Sequence, residues 1–149
     1  MEWILKKFDE LSTFELYSIL RLRNEVFVVE QNCVYQDLDN RDQLSWHLTC
    51  WHENKPVAYT RILPPGILYQ EPSIGRVVTE VNYRNKGLGK ELMERSIKNC
   101  ELLFGKQDIK LGAQLYLKEF YISLGFLPEG NIYLEDGIEH IAMIKSIVT

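Results

Sequence analysis

A short basic turn is the feature of this chain whose residue types and spacing are best suited to chemistry. Residues 84–90 read Arg-Asn-Lys-Gly-Leu-Gly-Lys and separate a β-branched run (74–81) from an amphipathic run (90–104). Backbone N–H groups at the start of a helix have no partner within the helix, and with the helix dipole they attract anions, most often phosphate. Gly87 and Gly89 let a ligand approach the backbone because they carry no Cβ atom. The turn therefore predicts a ligand that bears phosphate groups.

Two widespread phosphate-binding motifs do not match this turn. The dinucleotide fingerprint G-x-G-x-x-G requires a third glycine, and none follows Gly89 at that spacing. The P-loop G-x-x-x-x-G-K-[ST] requires Ser or Thr after Lys90, where Glu91 stands. The pattern that remains is R-x-x-G-x-G after a strand. An ordinary basic helix start is the alternative explanation for this turn taken by itself.

A second segment, Phe120–Phe126, reads Phe-Tyr-Ile-Ser-Leu-Gly-Phe and follows one short predicted strand. Gly125 is placed to end a helix that begins near Gln114, and Phe126 begins the next strand. Tyr121 has two interpretations, a catalytic hydroxyl or a core aromatic ring whose hydroxyl is satisfied. In their order and spacing, the two segments resemble the pyrophosphate loop and the second signature of the GNAT N-acetyltransferases.

Further segments are similar to the ElaA-like branch of the GNAT proteins. They are VEQNCVYQDLD (29–39), WHL (46–48), AYTRIL (58–63), IGRV (74–77) and EDGIEHIAM (135–143). Val34, Thr60 and Glu139 stand where the branch usually has proline, alanine and proline. The resemblance spans nearly the whole chain and implies one N-acetyltransferase domain over residues 1–149.

The resemblance implies a site for acetyl-coenzyme A (acetyl-CoA), the co-substrate whose acetyl group moves to an amine. The residues implied to bind it are Val77, Val78, Thr79, Arg84, Asn85, Lys86, Gly87, Leu88, Gly89, Lys90, Gln114 and Tyr121. The loop would hold the pyrophosphate, and the backbone of 77–79 would meet the pantetheine arm and the thioester carbonyl. Gln114 stands where many GNAT proteins carry an asparagine. Tyr121 would be the general acid for the departing thiolate, since its ordinary pKa of about 10 makes it a proton donor at neutral pH.

The residues that would meet the acceptor amine are less clearly marked. Those expected to bind it are Glu30, Cys33, Asp37, Asp39, Arg61 and His140, and the candidates for general base are His47, Glu30, Asp37, Asp39, Glu80 and His140. Plainer explanations compete, because strand histidines often pack in cores and an acidic loop is often a solvated turn. Glu80 alternates with Arg76 on one strand, which predicts a surface ion pair. Arg61 lies in an apolar strand and needs a partner, either a structural carboxylate or an acidic group of the substrate.

Two other functions stay open. The first is a sensor that binds an acyl-CoA without turnover, against which the presence of Tyr121 is weak evidence. The second is a regulatory domain that binds a nucleotide at the basic turn, which leaves the segment 120–126 unexplained.

Composition narrows the class of protein. A chain of 149 residues, 46% of them hydrophobic, suits one domain with one core. The net charge of −4 argues against a nucleic-acid binder, and no apolar run approaches the roughly 20 residues of a membrane span. The scattered histidines predict no metal site. The N-terminus has no signal-peptide features, and the odd number of cysteines predicts reduced thiols in a cytoplasmic protein. The resemblance adds the expectation of a homodimer.

The order of the elements predicts an α+β fold with three layers, in which helices cover both faces of a mixed sheet. The resemblance implies that this sheet is mostly antiparallel and has about six to seven strands. The expected strands are 3–8, 46–51, 57–63, 74–81, 109–111, 127–134 and 140–148, and the expected helices are 12–28, 90–104 and 114–124. The polar segment 30–44 is expected to be a loop or broken helix.

Overall fold

Seven strands form one mixed sheet in the computed structural model, which describes residues 1–147. The strands are β1 (Glu2–Lys7), β2 (Trp46–His52), β3 (Lys55–Leu63), β4 (Ser73–Thr79), β5 (Ile109–Gln114), β6 (Leu127–Glu135) and β7 (Ile138–Lys145). Their order in the sheet is β1-β2-β3-β4-β5-β7-β6. The β4–β5 pair is parallel and the other pairs are antiparallel, which confirms the predicted mostly antiparallel sheet.

Helices cover both faces of this sheet. They are α1 (Thr13–Arg23), α2 (Leu88–Phe104) and α3 (Lys118–Ser123). On one face α1 packs against Tyr59 and Val78, and on the other face α2 and α3 pack in a core that includes Ala58 and Ile62. Neighbouring residues of a strand point to opposite faces, so β3 contributes to both cores. The three-layer α+β arrangement predicted from the order of elements is therefore confirmed.

The first helix begins at a capping box formed by Ser12 and Glu15. The Glu15 backbone N–H donates to Ser12 Oγ (3.0 Å), and the Ser12 N–H donates to the Glu15 carboxylate (2.8 Å). The helix was expected to run to about Val28, but its α-helical part ends at Arg23 and a π-helical segment continues over Asn24–Glu30. Such wider turns are frequent at functional sites, and this one leads into the cavity described below.

The second motif differs from its predicted boundaries. The strand expected to end at Leu111 continues to Gln114, because Gln114 pairs with His140 of β7. The helix expected from Gln114 is shorter, since a 3₁₀ turn over Leu115–Leu117 precedes its start at Lys118.

The last strand also begins earlier than predicted. The expectation was a strand over 140–148, whereas β7 spans Ile138–Lys145. Its extra residues pair with the end of β6 across a tight turn, Glu135 opposite Ile138. The predicted end at Val148 lies outside the described residues.

Strands β4 and β5 lie side by side at one end only. Ser73 pairs with Lys110, and the Lys110 N–H donates to the Pro72 carbonyl (3.1 Å). No other β4–β5 pair occurs in residues 1–147, so the sheet opens between the two strands toward their C-terminal ends. The edge of β4 that faces β5 therefore keeps backbone groups that no neighbouring strand uses.

Strand β6 forms an exposed edge of the sheet. Strand β6 is exposed along its whole length, and Leu127, Ile132 and Leu134 are among its exposed side chains. Within residues 1–147, no helix has the length and apolar character needed to span a membrane.

Candidate active site

A cavity of about 780 Å³ lies in the opening between β4 and β5. Its size falls in the range of small-molecule sites. The predicted site residues that line it are Glu30, Asp39, Arg61, Val77, Val78, Thr79, Arg84, Asn85, Gly89, Gln114, Tyr121 and His140. The predicted site residues outside its lining are Cys33, Asp37, His47, Glu80, Lys86, Gly87, Leu88 and Lys90. The opening of the sheet thus brings both sequence motifs to one cavity.

The basic turn has the geometry of an anion site. Gly87 is the N-cap of α2 and has φ of +81°, a left-handed conformation that glycine adopts without strain. Helix α2 therefore begins at Leu88 rather than at the predicted Lys90. Its first backbone hydrogen bond joins the Glu91 N–H to the Gly87 carbonyl (3.1 Å), which leaves the N–H groups before it without a helical acceptor. A Cβ atom at Gly89 would meet nothing within 4 Å, so the space beside this turn is open.

Arg84 links this turn to the π-helical segment. Its Nε donates to the Thr79 carbonyl (3.1 Å) and its Nη2 donates to the Glu30 carboxylate (2.8 Å). The Arg84 hydrogen bond holds the pKa of Glu30 below its ordinary value. A carboxylate with a lowered pKa is a weaker base, which argues against Glu30 as the general base.

Tyr121 lies on α3 with its ring enclosed by aromatic neighbours. Its side chain is buried, and it meets Phe120 and Phe126 edge to face at centroid distances of 5.1 and 6.1 Å. Burial raises the pKa of Tyr121, so the hydroxyl is protonated at neutral pH. This phenol borders the cavity and carries a proton that a departing group could take, although its raised pKa makes it a weaker acid than an exposed tyrosine.

Four arginines and three aspartates form a cluster at the other end of the cavity. This arginine–aspartate cluster comprises Arg23, Arg41, Arg61, Arg76, Asp37, Asp39 and Asp42. Arg61 is 2% exposed and donates to Asp39 (2.7 and 2.9 Å) and to Asp42 (3.0 Å). The partner that its position requires is therefore a pair of structural carboxylates. Burial acts to raise the pKa of Asp39, but the hydrogen bonds and charge of Arg61, the Arg41 N–H and the charge of Arg76 together outweigh it and lower that pKa.

Asp37 belongs to the same cluster and is not a solvated turn residue. Its carboxylate accepts from Arg23 Nε (2.8 Å) and lies 2.7 Å from Arg76 Nε. The predicted ion pair between Arg76 and Glu80 is wrong, because Arg76 pairs with Asp37 and Glu80 instead accepts from the Asn82 N–H (3.0 Å). Neither Asp37 nor Glu80 borders the cavity, so neither is placed to act on an acceptor.

His47 is a core residue, which corrects its selection as a candidate base. It is 1% exposed, and its Nε2 lies 2.9 Å from the Asp42 carbonyl. A carbonyl only accepts, so Nε2 carries the proton and Nδ1 accepts from the Tyr59 hydroxyl (2.6 Å). Burial lowers the pKa of His47. Both nitrogens are occupied, and the ring lies outside the cavity lining.

His140, unlike His47, lines the cavity. Its ring stacks on Tyr133 with 5.7 Å between centroids. Its Nδ1 lies 2.7 Å from the Ile138 carbonyl, which fixes the proton on that nitrogen. Nε2 is then the basic nitrogen of the neutral ring, 3.5 Å from the Glu135 carboxylate. This pairing of imidazole and carboxylate can accept a proton and stabilise the resulting charge.

Cys33 holds the acidic loop, which is the polar segment 30–44, against the β6–β7 turn. Its Sγ donates to the Asp136 carbonyl (3.2 Å) rather than facing the cavity. Nearby, Tyr35 lies within 4 Å of the Cβ position of Gly137. The loop therefore spans from the π-helical segment to the turn at the far side of the opening, and Cys33 contributes through that contact.

Residues 13–147 match the family model of the GNAT acetyltransferase domain. The chain belongs to the GNAT acetyltransferase family. Protein ElaA of Escherichia coli K12 is 39% identical over an alignment of 150 positions, which covers 99% of this chain and 98% of ElaA. The crystal structure of E. coli ElaA has a TM-score of 0.91 and covers 97% of this chain and 99% of its own. These similarities confirm the prediction that the chain belongs to the ElaA-like branch.

A second solved structure of high similarity is an acyl-CoA N-acyltransferase from Pseudomonas aeruginosa. It has a TM-score of 0.93 and 40% identity, and the likeness covers 98% of this chain and 100% of that one. The predicted GNAT fold is therefore confirmed at the level of the whole sheet. In residues 1–147 of this GNAT chain, no group of three His, Cys, Asp or Glu is arranged to hold a metal ion.

Several residues that line this GNAT cavity were not selected from the sequence. They are Arg41, Arg76, Tyr69, Tyr133 and Glu135. Arg76 and Glu135 lie in segments that resemble the ElaA-like branch, so that resemblance was the available signal for them. Tyr69 follows a Pro-Pro-Gly turn and has no such signal.

Proposed function

We propose that this GNAT protein transfers the acetyl group of acetyl-CoA directly to an amine. The observation that carries the proposal is that one cavity joins the basic turn, Tyr121 and His140. Family membership and the likeness to an acyl-CoA N-acyltransferase support an acyl-CoA as the donor. We propose the acetyl thioester as its specific form, and one catalytic domain over residues 1–149.

The donor would bind along β4 and at the start of α2. The free N–H groups of the first helical turn and the open space at Gly89 suit a pyrophosphate. The unpaired edge of β4 at Val77–Thr79 offers backbone groups to the amides of a pantetheine arm, and Gln114 offers a side-chain amide across the opening. A β4 N–H directed at the thioester carbonyl would stabilise the negative charge that develops on its oxygen.

In the proposed reaction the amine nitrogen bonds to the thioester carbonyl carbon and the carbon–sulfur bond breaks. Tyr121 donates its hydroxyl proton to the departing thiolate. His140 takes a proton from the amine at Nε2, because Nδ1 already carries the proton held by the Ile138 carbonyl. Glu135 then stabilises the imidazolium that forms.

Release of the CoA thiol tests this function. The purified protein is incubated with acetyl-CoA and pooled primary amines, polyamines, amino acids and peptides, and we expect thiol release that depends on the amine. Tight binding of acetyl-CoA without release would instead indicate the acyl-CoA sensor. Thermal stabilisation by ATP or NAD but not by acetyl-CoA would indicate a nucleotide-binding domain.

Replacing Tyr121 with phenylalanine tests the general acid. Tyr121→Phe keeps the aromatic packing and removes the proton donor, so we expect kcat to fall by about 100-fold or less, the low end for general acid catalysis. The Kd for acetyl-CoA should stay unchanged. Tyr17→Phe, at an exposed tyrosine outside the cavity, is the matched control. Full activity in Tyr121→Phe would assign the acid role to another group.

Three free cysteines support a cytoplasmic location, which we also propose. Cys50 and Cys100 are buried, and burial raises the pKa of Cys100 to about 12. Thiols with raised pKa values are unreactive, as is usual for structural cysteines in a reducing compartment.

We further propose that two copies associate through β6, whose edge is unpaired in the described chain. An exposed edge strand with apolar side chains is suited to pair with another strand. Light scattering should give twice the chain mass for the native protein and the chain mass for Leu134→Lys. A monomeric native protein at assay concentration would contradict this association.

A further inference from the structure

The cavity has walls of opposite charge at its acceptor end. The arginine–aspartate cluster lies on the side of β3 and β4, whereas Glu135 and Asp136 lie at the β6–β7 turn on the other side of the opening. His140 lies on the same side as these carboxylates, with its Nε2 3.5 Å from the Glu135 carboxylate. A substrate that enters this space meets a guanidinium surface on one side and carboxylates on the other.

The guanidinium groups of the cluster outnumber its carboxylates by one. Arg23 and Arg61 are committed to carboxylates of the cluster, because each is buried and each pairs with two aspartates at 3.0 Å or less. The remaining contacts to Asp39 are long, 3.4 Å from Arg41 and 3.5 Å from Arg76. Arg76 also has a close carboxylate within the cluster, 2.7 Å from its Nε. The excess positive charge is therefore carried mainly by Arg41, and both arginines border the cavity.

Arg76 is held toward this space by an unusual backbone. Its backbone φ is +50°, a left-handed conformation that residues other than glycine rarely adopt. It lies where the β3–β4 register shifts, and such bulges redirect side chains next to active sites. The Asp37 carbonyl accepts from its Nη2 (2.8 Å), which fixes the guanidinium at the cavity wall. Strain of this kind persists where the surrounding structure holds a functional side chain.

The opposite wall has carboxylates that no arginine or lysine neutralises. Among the described residues, the ion pair of Glu135 is with His140, and Asp136 has none. An ammonium group bound there would be close to Nε2 of His140, the nitrogen able to take its proton. A negatively charged group on the same molecule could then bind the arginines of the other wall.

We propose that the acceptor is a zwitterion, an amine that also bears a carboxylate, as in amino acids. Its carboxylate binds Arg41 and Arg76, and its amino group binds beside Glu135 and His140. This assignment rests on the proposed acetyl transfer and names the acceptor class for that same site. Guanidinium groups recognise carboxylates through charge-assisted hydrogen bonds, and the long contact of Arg41 to Asp39 leaves donors for such bonds.

Matched acceptor pairs test the assignment. A series of α- and ω-amino acids is compared with the corresponding carboxamides, which keep the amine and lose the negative charge. We expect kcat/KM to favour the carboxylates by about 10- to 100-fold, the range of a charge-assisted hydrogen bond. In Arg41→Gln this preference should fall about tenfold, because KM should rise more for the carboxylates than for the carboxamides. Arg95→Gln, at an exposed arginine that pairs with Glu91 outside the cavity, is the control.

The outcomes separate this assignment from the proposed reaction. Equal turnover of carboxylates and carboxamides, or a preference for polyamines, would overturn the zwitterion and leave acetyl transfer standing. If Arg41→Gln lowered kcat/KM equally for an amino acid and its carboxamide, that result would also overturn the zwitterion assignment. Absence of acetylation with every amine, despite binding of acetyl-CoA, would overturn the proposed reaction itself. Arg41 is partly exposed, with a side chain 40% accessible, so its replacement leaves the buried part of the cluster intact.

Discussion

Gly89→Asp should abolish detectable binding of acetyl-CoA, raising its Kd by about 100-fold or more. The new carboxylate would lie in the cavity at the start of α2, where the proposed pyrophosphate also carries negative charge. Two like charges about 4 Å apart repel by several kcal/mol at the effective dielectric of a protein surface, and about 1.4 kcal/mol corresponds to a tenfold change in Kd. Isothermal titration of the variant with acetyl-CoA measures the loss.

The free protein should tolerate this change. A Cβ atom at Gly89 meets nothing within 4 Å, its backbone conformation is not left-handed, and an acidic residue in the first turn favours the helix dipole. The melting temperature should therefore stay close to that of the native protein. Gly89→Asn has nearly the same shape without the charge and should lose less affinity. Native affinity in Gly89→Asp would show that the donor phosphates bind elsewhere.

His140→Gln should lower kcat by about 10²- to 10⁴-fold, the range for loss of a general base. His140 lines the cavity and Nε2 is its basic nitrogen, whereas glutamine places a neutral amide near the same point. The Kd for acetyl-CoA should change little, because the anion site lies at the start of α2. Single-turnover acetylation of a reactive amine measures the chemical step without product release.

Two further variants distinguish a base from a structural residue. His52→Gln, at a partly exposed histidine outside the main cavity, should retain full kcat. His140→Ala should regain part of its activity when imidazole is added, because the smaller side chain leaves room for an added base. If kcat in His140→Gln equals that of the native protein, the acceptor amine loses its proton to another group or to water.

The two strand histidines show where the sequence is informative and where it is not. Alternation along β2 and β7 places each ring on one face but does not say which face borders a cavity. His47 pairs with Arg61 in the β2–β3 ladder and therefore faces the buried arginine–aspartate cluster. His140 pairs with Gln114 at the open end of β5. Strand register and the divergence of β4 from β5 separate the two, and neither follows from local spacing.

Local motifs were more informative for the basic turn than for the acceptor end. A glycine N-cap, a basic loop and a helix start are all within seven residues, so the turn at 84–90 could be predicted from its own sequence. The acceptor end is assembled from β3, β4, the acidic loop and the β6–β7 turn. Arg76 owes its position to a left-handed backbone at a register shift, a feature that no hydrophobic pattern predicts.

Mass spectrometry of the reaction products tests the central claim most directly. The protein is incubated with acetyl-CoA carrying an isotopically labelled acetyl group and a pool of amines that includes amino acids and their carboxamides. The proposed function predicts a labelled acetyl group on an amine nitrogen, formed in equal amount with free CoA and not formed by Gly89→Asp. Labelled acetate as the sole product, or no product despite saturating acetyl-CoA, would contradict direct transfer to an amine.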